Sequence, residues 1–367
     1  MKLTDSPLIV ALRDPCAILR FTDAEWDLIV RQGYATGLLG RLGAMMLKHA
    51  LKTQIPVPVW RHMEAMLTIA DRQRRAVLWE VTQLSHALVE VKAPIMLLKG
   101  AAYAAAELAP AAGRTFSDID ILVPKSALPE VEMHLMLSGW IAARLDPYDQ
   151  RYYRQWMHEL PPMTHIRRGT NLDLHHNILP ETARIKTRPD LILSSAQHLA
   201  GFANIFIPCP ADQVLHSATH LYHEGEWEHG LRDLSDLDCL LRAYGEDSGF
   251  WADLMARARE LNLAGPLSHA LSNAKAIFQT PVPDLAQHSA LYQTRTIQRR
   301  MMNSLFVAGM TSAHPSLRHP GTGLAQFLLY VRSHWLRMPM HLLIPHLLHK
   351  AIAKLRIENS EIHRSAE

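Results

Sequence analysis

Two aspartates lie two positions apart in an alternating polar and apolar segment, Ser117 to Val123. If this segment is a β-strand, Asp118 and Asp120 point to one face and Ile119 and Ile121 to the other, because side chains alternate along a strand. Two carboxylates on one face repel each other unless a cation lies between them or one of them is protonated. The spacing therefore predicts a divalent-metal site, and Mg²⁺ prefers such carboxylates together with substrate phosphates.

A third carboxylate follows on a second predicted strand. Residues Met163 to Arg168 and Asn171 to His176 flank Gly169–Thr170, a pattern that indicates a β-hairpin. The face of the second strand opposite its leucines carries Asp173 and His175. Asp173 is therefore a candidate third ligand, and His175 is a candidate partner of the carboxylates.

A segment with the features of a phosphate-binding loop precedes the aspartates. The apolar run Pro94 to Leu98 ends at Lys99-Gly100, and the alanine-rich segment Ala101 to Ala109 is predicted to be helical. Glycine lets the backbone approach a ligand closely, and a helix directs free N–H groups and its positive end toward phosphates. Basic and hydroxyl side chains nearby would add contacts. The candidate nucleotide-binding residues are Lys99, Gly100, Arg114 and Ser117.

Taken together, Lys99-Gly100, Arg114 and the segment Ser117 to Val123 resemble the active-site signature of the DNA polymerase beta-like nucleotidyltransferase superfamily. The resemblance covers Pro94 to Ile178, and weaker likeness extends into the C-terminal half, including Gly230 to Leu234. Common members of the bacterial nucleotidyltransferase group that the chain resembles carry Gly-Ser where this chain has Lys99-Gly100. The Lys-Gly form is similar to that of nucleotidyltransferase toxins of abortive-infection systems. No serine hydroxyl is available at this point for a phosphate contact.

The resemblance implies transfer of a nucleoside monophosphate from a nucleoside triphosphate, ATP among them, to an acceptor, with Mg²⁺ or Mn²⁺ as the cofactor. Asp118, Asp120 and Asp173 would be the catalytic and metal-binding residues. Asp173 would complete the metal at the nucleophile or act as the base toward the acceptor hydroxyl. If Asp173 were an ordinary strand residue, Asp149 and Glu159 would be the next candidates.

Two other classes of protein compete with an enzyme. The first is a catalytically silent nucleotide-binding or interaction protein, which the three intact carboxylates argue against. The second is an interaction scaffold at a membrane surface. Net charge is +3 and the pI is about 8.7, which is not the concentrated basic face of a dedicated nucleic-acid binder. The charge therefore favours a small molecule or a protein over RNA as the acceptor.

Composition indicates an intracellular globular protein. The chain has 367 residues, of which 48% are hydrophobic and 20% charged, enough for two or three domains. The three cysteines, Cys16, Cys209 and Cys239, form neither a disulfide framework nor a zinc motif. No uncharged run is long enough for a membrane span, and the N-terminal apolar run is too short for a secretory signal. We therefore expect a cytoplasmic location.

The coarse pattern predicts an α+β fold that is mostly α overall, with a small polymerase beta-like mixed sheet flanked by helical regions. The three predicted regions are 1–92 (helical), 93–180 (nucleotidyltransferase core) and 181–367 (helical domain). In the first region we expect helices from the Thr22 capping box to Gln32, from Gly33 to Lys52, and from Val59 to Val91 with a break. Trp140 to Leu145 is a further candidate strand.

Two features of the C-terminal half allow more than one interpretation. His216, His220 and His223 lie near one face of a predicted helix, where packing or substrate contact is favoured over zinc binding. The pair Arg232-Asp233 is expected to form a structural ion pair that ties the helical domain to the core.

The apolar end of the chain, Leu324 to Arg356, is expected to be an amphipathic helix docked on the core. A weak contact with a membrane surface is the less favoured alternative. It would involve Arg332, Arg337, His341, Lys350, Lys354 and Arg356.

Overall fold

Helices surround one mixed sheet in the computed structural model, which describes residues 3–143, 146–223, 225, 227–284 and 296–349. The predicted α+β class, mostly α, is confirmed. The helices are α1 (Pro7–Arg13), α2 (Asp23–Thr36), α3 (Leu39–Lys48), α4 (Val57–Ala87), α5 (Lys99–Ala105), α6 (Leu128–Leu137), α7 (Pro147–Trp156), α8 (Pro189–Ser194), α9 (Pro210–His223), α10 (Gly230–Tyr244), α11 (Phe250–Glu260), α12 (Ala264–Phe278), α13 (Thr296–Met310) and α14 (Thr322–Arg337). Residues 340–349 are helical as well.

The sheet has seven strands in the order β3-β4-β5-β2-β1-β7-β6. They are β1 (Ile95–Leu97), β2 (Asp118–Leu122), β3 (Trp140–Ala142), β4 (Met163–His165), β5 (Asn171–His175), β6 (Gln197–His198) and β7 (Ile205–Ile207). Strand β2 pairs with β5 in parallel and with β1 in antiparallel orientation, and β4 pairs with β5 as the predicted hairpin. The predicted strand at Trp140 is confirmed as far as Ala142, and Arg144 and Leu145 lie outside the described residues.

The N-terminal helices differ from prediction at two points. The capping box of Thr22 and Glu25 opens α2 as predicted. The helix runs on to Thr36 and ends at Gly37, whose φ of +70° suits the left-handed cap that glycine favours. The predicted helix from Gly33 to Lys52 is therefore split at Gly37. The predicted break in α4 is absent, because its 31 residues form one continuous helix.

The two faces of the sheet are buried in two different cores. Ile119 and Ile121 lie in a core with the C-terminal part of α4, α5 and α6. Leu122, on the opposite face, belongs to a larger core that unites α1–α3 and the start of α4 with α9–α14. The helical regions before and after the sheet therefore share one core. The division into three consecutive domains stays a prediction.

A buried ion cluster links three parts of the chain that are distant in sequence. Asp236 on α10 accepts hydrogen bonds from Arg41 of α3 and from Nε of Arg114, which precedes β2; the latter bond measures 2.9 Å. Arg41 also donates to the carbonyl of Pro110 and to Ser235. The predicted ion pair of Arg232 and Asp233 forms, but it joins neighbours on one helix. Asp236 instead connects the helical domain to the segment before the Asp-containing strand.

The C-terminal helices pack on the larger core. Arg332 of α14 donates to the carbonyl of Tyr222 at 2.8 Å and lies over the Phe306 ring. Because the Arg332 guanidinium is engaged in these contacts, it faces the core rather than a membrane surface, and burial lowers its pKa to about 10. Lys350, Lys354 and Arg356 lie outside the described residues. In the described part of the chain, no helix is long and apolar enough to cross a bilayer.

Candidate functional site

The predicted carboxylates converge on adjacent parallel strands. The register of β2 and β5 places Asp120 directly opposite Asp173, on the sheet face that carries Leu122 and faces the helical core. One oxygen from each of Asp118, Asp120 and Asp173 lies within 4.8 Å of the others. The arrangement needs both the alternation along β2 and the in-register pairing, because a shift of one residue would turn Asp173 to the other face.

Asp120 is the buried member of this group and the best neutralised. It is 6% exposed, and burial alone would raise its pKa. Lys99 Nζ lies 3.9 Å from Asp120 Oδ1, and Nε2 of His175 donates to the same oxygen at 3.1 Å. These two groups outweigh burial and hold the pKa of Asp120 well below its usual range. Asp120 is therefore ionised in any condition in which the protein is folded near neutral pH.

Asp173 has the opposite electrostatic character. Burial, the charge of Asp120 and that of Glu159 raise the pKa of Asp173 to about 7. This is the like-charge repulsion that the sequence predicts for carboxylates on one face. A cation among the three carboxylates would relieve it.

The raised pKa of Asp173 predicts a pH-dependent cost to stability without metal. Between the ordinary pKa of 3.8 and about 7, the folded chain holds a proton that the unfolded chain has lost. The contribution of this carboxyl to stability therefore falls as pH rises through that range and stays low above it. We expect Asp173→Asn, which mimics the protonated form, to melt about 2–4 °C above wild type at pH 8 in EDTA.

This expectation is checked by thermal melts of both proteins at pH 8 and pH 5, where the difference should shrink. Asp149→Asn, on α7, is the matched control and should melt with wild type at both pH values. A variant that melts below wild type at pH 8 would contradict the prediction.

His175 connects Asp120 to a second cluster. Its Nδ1 lies 3.4 Å from Glu159 Oε2. Burial lowers the pKa of His175, but the hydrogen bond that His175 donates to Asp120 and the charges of Glu159 and Asp120 raise it more, so the net shift is upward. Ligand atoms of His158, Glu159 and His175 form a second group within 4.8 Å. Glu159, an alternative third carboxylate, therefore belongs to this cluster, and Asp173 to the one with Asp118 and Asp120.

The candidate phosphate contacts lie around the start of α5. Lys99 adopts a left-handed backbone with φ of +42°, a strained conformation that is found disproportionately at functional sites. A Cβ at Gly100 would lie 2.9 Å from Arg114 Nη1, so glycine there makes room for Arg114. Arg114 Nε is bound to Asp236, and Ser117 donates to Asp118 at 2.8 Å. Helix α5 is seven residues long and ends at Ala105, whereas the predicted helix continues to Ala109.

These residues open into a cavity of about 540 Å³ between the sheet and helices α9 and α10, a size typical of small-molecule sites. Besides the predicted residues Lys99, Gly100, Arg114, Ser117, Asp118 and Asp120, the lining consists of Tyr103, Ser217, His220, Trp227, Glu228, His229, Arg232, Asp233 and Asp236. Most of the second set carries no sequence signal, because apart from Tyr103 these residues come from α9, α10 and the segment between them, more than 90 positions after the aspartates.

The histidines of α9 do not form a metal site in the described part of the chain. His220 lines the cavity, whereas His216 is buried beside Lys99. Burial and the positive charge of Lys99 hold the pKa of His216 well below its usual value. The metal-ligand groups found among the described residues include none of His216, His220 and His223. Packing or substrate contact, rather than zinc binding, therefore stays the favoured prediction for these histidines.

The family of the chain follows from comparison with known proteins. A family model described as an uncharacterised nucleotidyltransferase matches residues 22–279, more than two thirds of the chain. No curated protein and no solved structure matches it. The match extends from α2 to the end of α12 and includes all seven strands, the three aspartates and every residue that lines the cavity. The chain therefore belongs to this family of uncharacterised nucleotidyltransferases.

Proposed function

We propose that the protein transfers a nucleoside monophosphate from a nucleoside triphosphate to an acceptor, with Mg²⁺ or Mn²⁺ as cofactor. The observation that carries the proposal is the convergence of Asp118, Asp120 and Asp173 from two parallel strands beside a ligand-sized cavity. This arrangement, with the preceding Lys99-Gly100, supports membership of the polymerase beta-like superfamily.

The three carboxylates fit the proposed metal. Carboxylate oxygens are the ligands that Mg²⁺ and Mn²⁺ prefer, and a cation here would relieve the like-charge repulsion that raises the pKa of Asp173. Asp118, Asp120 and Asp173 would hold the metal, which when bound would neutralise charge on the reacting phosphates. Lys99 and His175 fix Asp120 in its ionised form and in one orientation.

The other residues of the site divide between triphosphate and acceptor. Lys99, Ser117 and the exposed edge of Arg114 line the cavity and would contact the phosphates. Asp173 would complete the metal at the attacking hydroxyl or accept the proton of that hydroxyl. We propose a small molecule or a protein side chain, rather than an RNA end, as the acceptor, since the net charge is only +3.

The proposal predicts pyrophosphate release and ligand-induced stabilisation. Each of the four α-labelled nucleoside triphosphates is incubated with the full chain, Mg²⁺ or Mn²⁺ and pools of small molecules and proteins. At least one of the four triphosphates should release pyrophosphate and transfer its label to an acceptor. The same nucleotide with metal, at 100 times its dissociation constant, should stabilise the fold by about 2.7 kcal/mol, which a thermal shift detects.

The double variant Asp118→Asn/Asp120→Asn is the control and should show neither effect. If no nucleotide shifts the melting temperature of the wild-type protein with either metal, the nucleotide site is refuted. If a nucleotide shifts it but no acceptor is ever labelled, the silent nucleotide-binding alternative is favoured.

A further inference from the structure

Helix α14 presents an apolar stripe to solvent. Five of its six exposed large side chains lie at positions i, i+3, i+4, i+7 and i+11, which places them on one face of a helix, and the sixth, Tyr330, lies outside this face. They are between 42% and 64% exposed. The stripe consists of Leu324, Phe327, Leu328, Val331 and Trp335. A solvent-facing stripe of this kind is the reverse of what an ordinary surface helix shows.

The helical segment 340–349 repeats the pattern. Its large apolar side chains Met340, Ile344, Leu347 and Leu348 are between 40% and 59% exposed. Together the two helices present nine large apolar side chains, more than the scattered single residues that a surface normally carries. Contiguous exposed patches beyond about 300–600 Å² mark interaction sites.

Both helices are held in place by their opposite sides. In α14, Leu329 is buried in the larger core and Arg332 is bound to the carbonyl of Tyr222. In segment 340–349, His346 stacks on Tyr152 with ring centroids 4.6 Å apart, and Tyr148 stacks on His349. The apolar faces therefore point outward because the other faces are engaged, not because the helices are undocked.

The charge of this region selects the partner. Besides Arg332, which is engaged with the core, residues 296–349 contain four arginines and neither aspartate nor glutamate, although the chain has 35 acidic residues. Arg318 precedes α14 and is exposed, and Arg337 ends it. Asp146 lies 3.8 Å from His349 and is an acidic side chain from outside this segment. An apolar helix face in a segment that itself carries basic and no acidic residues suits an anionic lipid surface, where it sinks about 5–10 Å into the headgroup boundary.

We propose that α14 and segment 340–349 dock the protein on an anionic phospholipid surface, lying in the interface. The stripe is built mainly of aliphatic side chains, whereas a single-stranded nucleic acid would require a series of aromatic stacking platforms. No described helix is long and apolar enough to cross the bilayer, so the contact is peripheral. The proposal is independent of the proposed nucleotidyl transfer.

Vesicle sedimentation of the full-length protein tests this proposal. We expect the protein to sediment with phosphatidylcholine vesicles that contain 30% phosphatidylglycerol (about a third anionic lipid), and to do so much less with pure phosphatidylcholine. Phe327→Ser/Val331→Ser should lower partitioning at least tenfold. Arg318→Glu/Arg337→Glu should remove the preference for anionic lipid. Leu137→Ser is the matched control, since Leu137 on α6 is 79% exposed, and should partition as wild type does.

Three experimental outcomes would refute the proposal. Failure of the wild-type protein to sediment with anionic vesicles refutes it, as does equal partitioning of Phe327→Ser/Val331→Ser and wild type. Light scattering after gel filtration measures the oligomeric state and so tests whether a second copy of the chain covers the apolar face. If wild type is a dimer that the serine variant converts to a monomer, the face is a contact between copies and the proposal is wrong. Circular dichroism checks that each variant is folded, and Leu328→Ser is the substitute if the double variant is not.

Discussion

Asp173→Asn should lower turnover at least a hundredfold and leave triphosphate binding within about tenfold of wild type, or about 1.4 kcal/mol. Asp173 lies on β5, whereas Asp118 and Asp120 lie on β2 beside Lys99 and Ser117. Under the proposed function the triphosphate is bound mainly on the β2 side, and Asp173 acts on the attacking oxygen. The loss corresponds to about 2.7 kcal/mol or more of transition-state stabilisation.

Two further variants decide what this result means. Asp120→Asn should lose both binding and turnover, because Asp120 is the buried, fully ionised ligand held by Lys99 and His175. Asp149→Asn should retain both, since Asp149 lies on α7 and outside the carboxylate group. Turnover and equilibrium binding are measured on the same preparations by pyrophosphate release and calorimetry. An active Asp173→Asn protein would make Asp173 an ordinary strand residue.

The local part of the site could be predicted from the sequence because strand alternation is a two-residue pattern. Ile119 and Ile121 are buried in one core, as that pattern requires, and the aspartates share the other face with Leu122. The hairpin signal at Gly169-Thr170 fixed the position of Asp173 along its strand. Convergence itself needed the parallel register of β2 and β5, which no local pattern encodes.

The remaining parts of the site depend on contacts between distant segments. The sequence predicts a phosphate contact for Arg114, but no local pattern indicates that Nε of Arg114 is bound to Asp236, 122 positions away. No sequence pattern indicates that Arg41, in the N-terminal region, also binds Asp236. The split of the predicted helix at Gly37 shows the same limit on a smaller scale, because a glycine in an otherwise helical pattern is either tolerated or used as a cap.

Asp236→Ala should destabilise the protein by about 3–5 kcal/mol, because it leaves two arginines buried without their counter-ion. Arg41 is 5% exposed and Arg114 9%, and Asp236 itself is 2% exposed. Burial would raise the pKa of Asp236, but Arg114 and Arg41 outweigh burial and lower it, so the group is a carboxylate in the fold. Chemical denaturation of wild type and variant measures the loss.

Asp27→Ala is the matched control, because Asp27 pairs with Arg31 at 3.0 Å where both side chains are more than half exposed. Exposed pairs contribute about 0–1 kcal/mol, so this variant should unfold close to wild type. Asp236→Asn keeps the shape of the side chain and some of its hydrogen bonds. Its free energy of unfolding should therefore lie between those of Asp236→Ala and Asp27→Ala. If Asp236→Ala costs no more than Asp27→Ala, the cluster does not hold α3, α10 and the segment before β2 together. In that case another group must position Arg114 in the cavity, and Asp233, whose charge also raises the pKa of Arg114, is the next candidate.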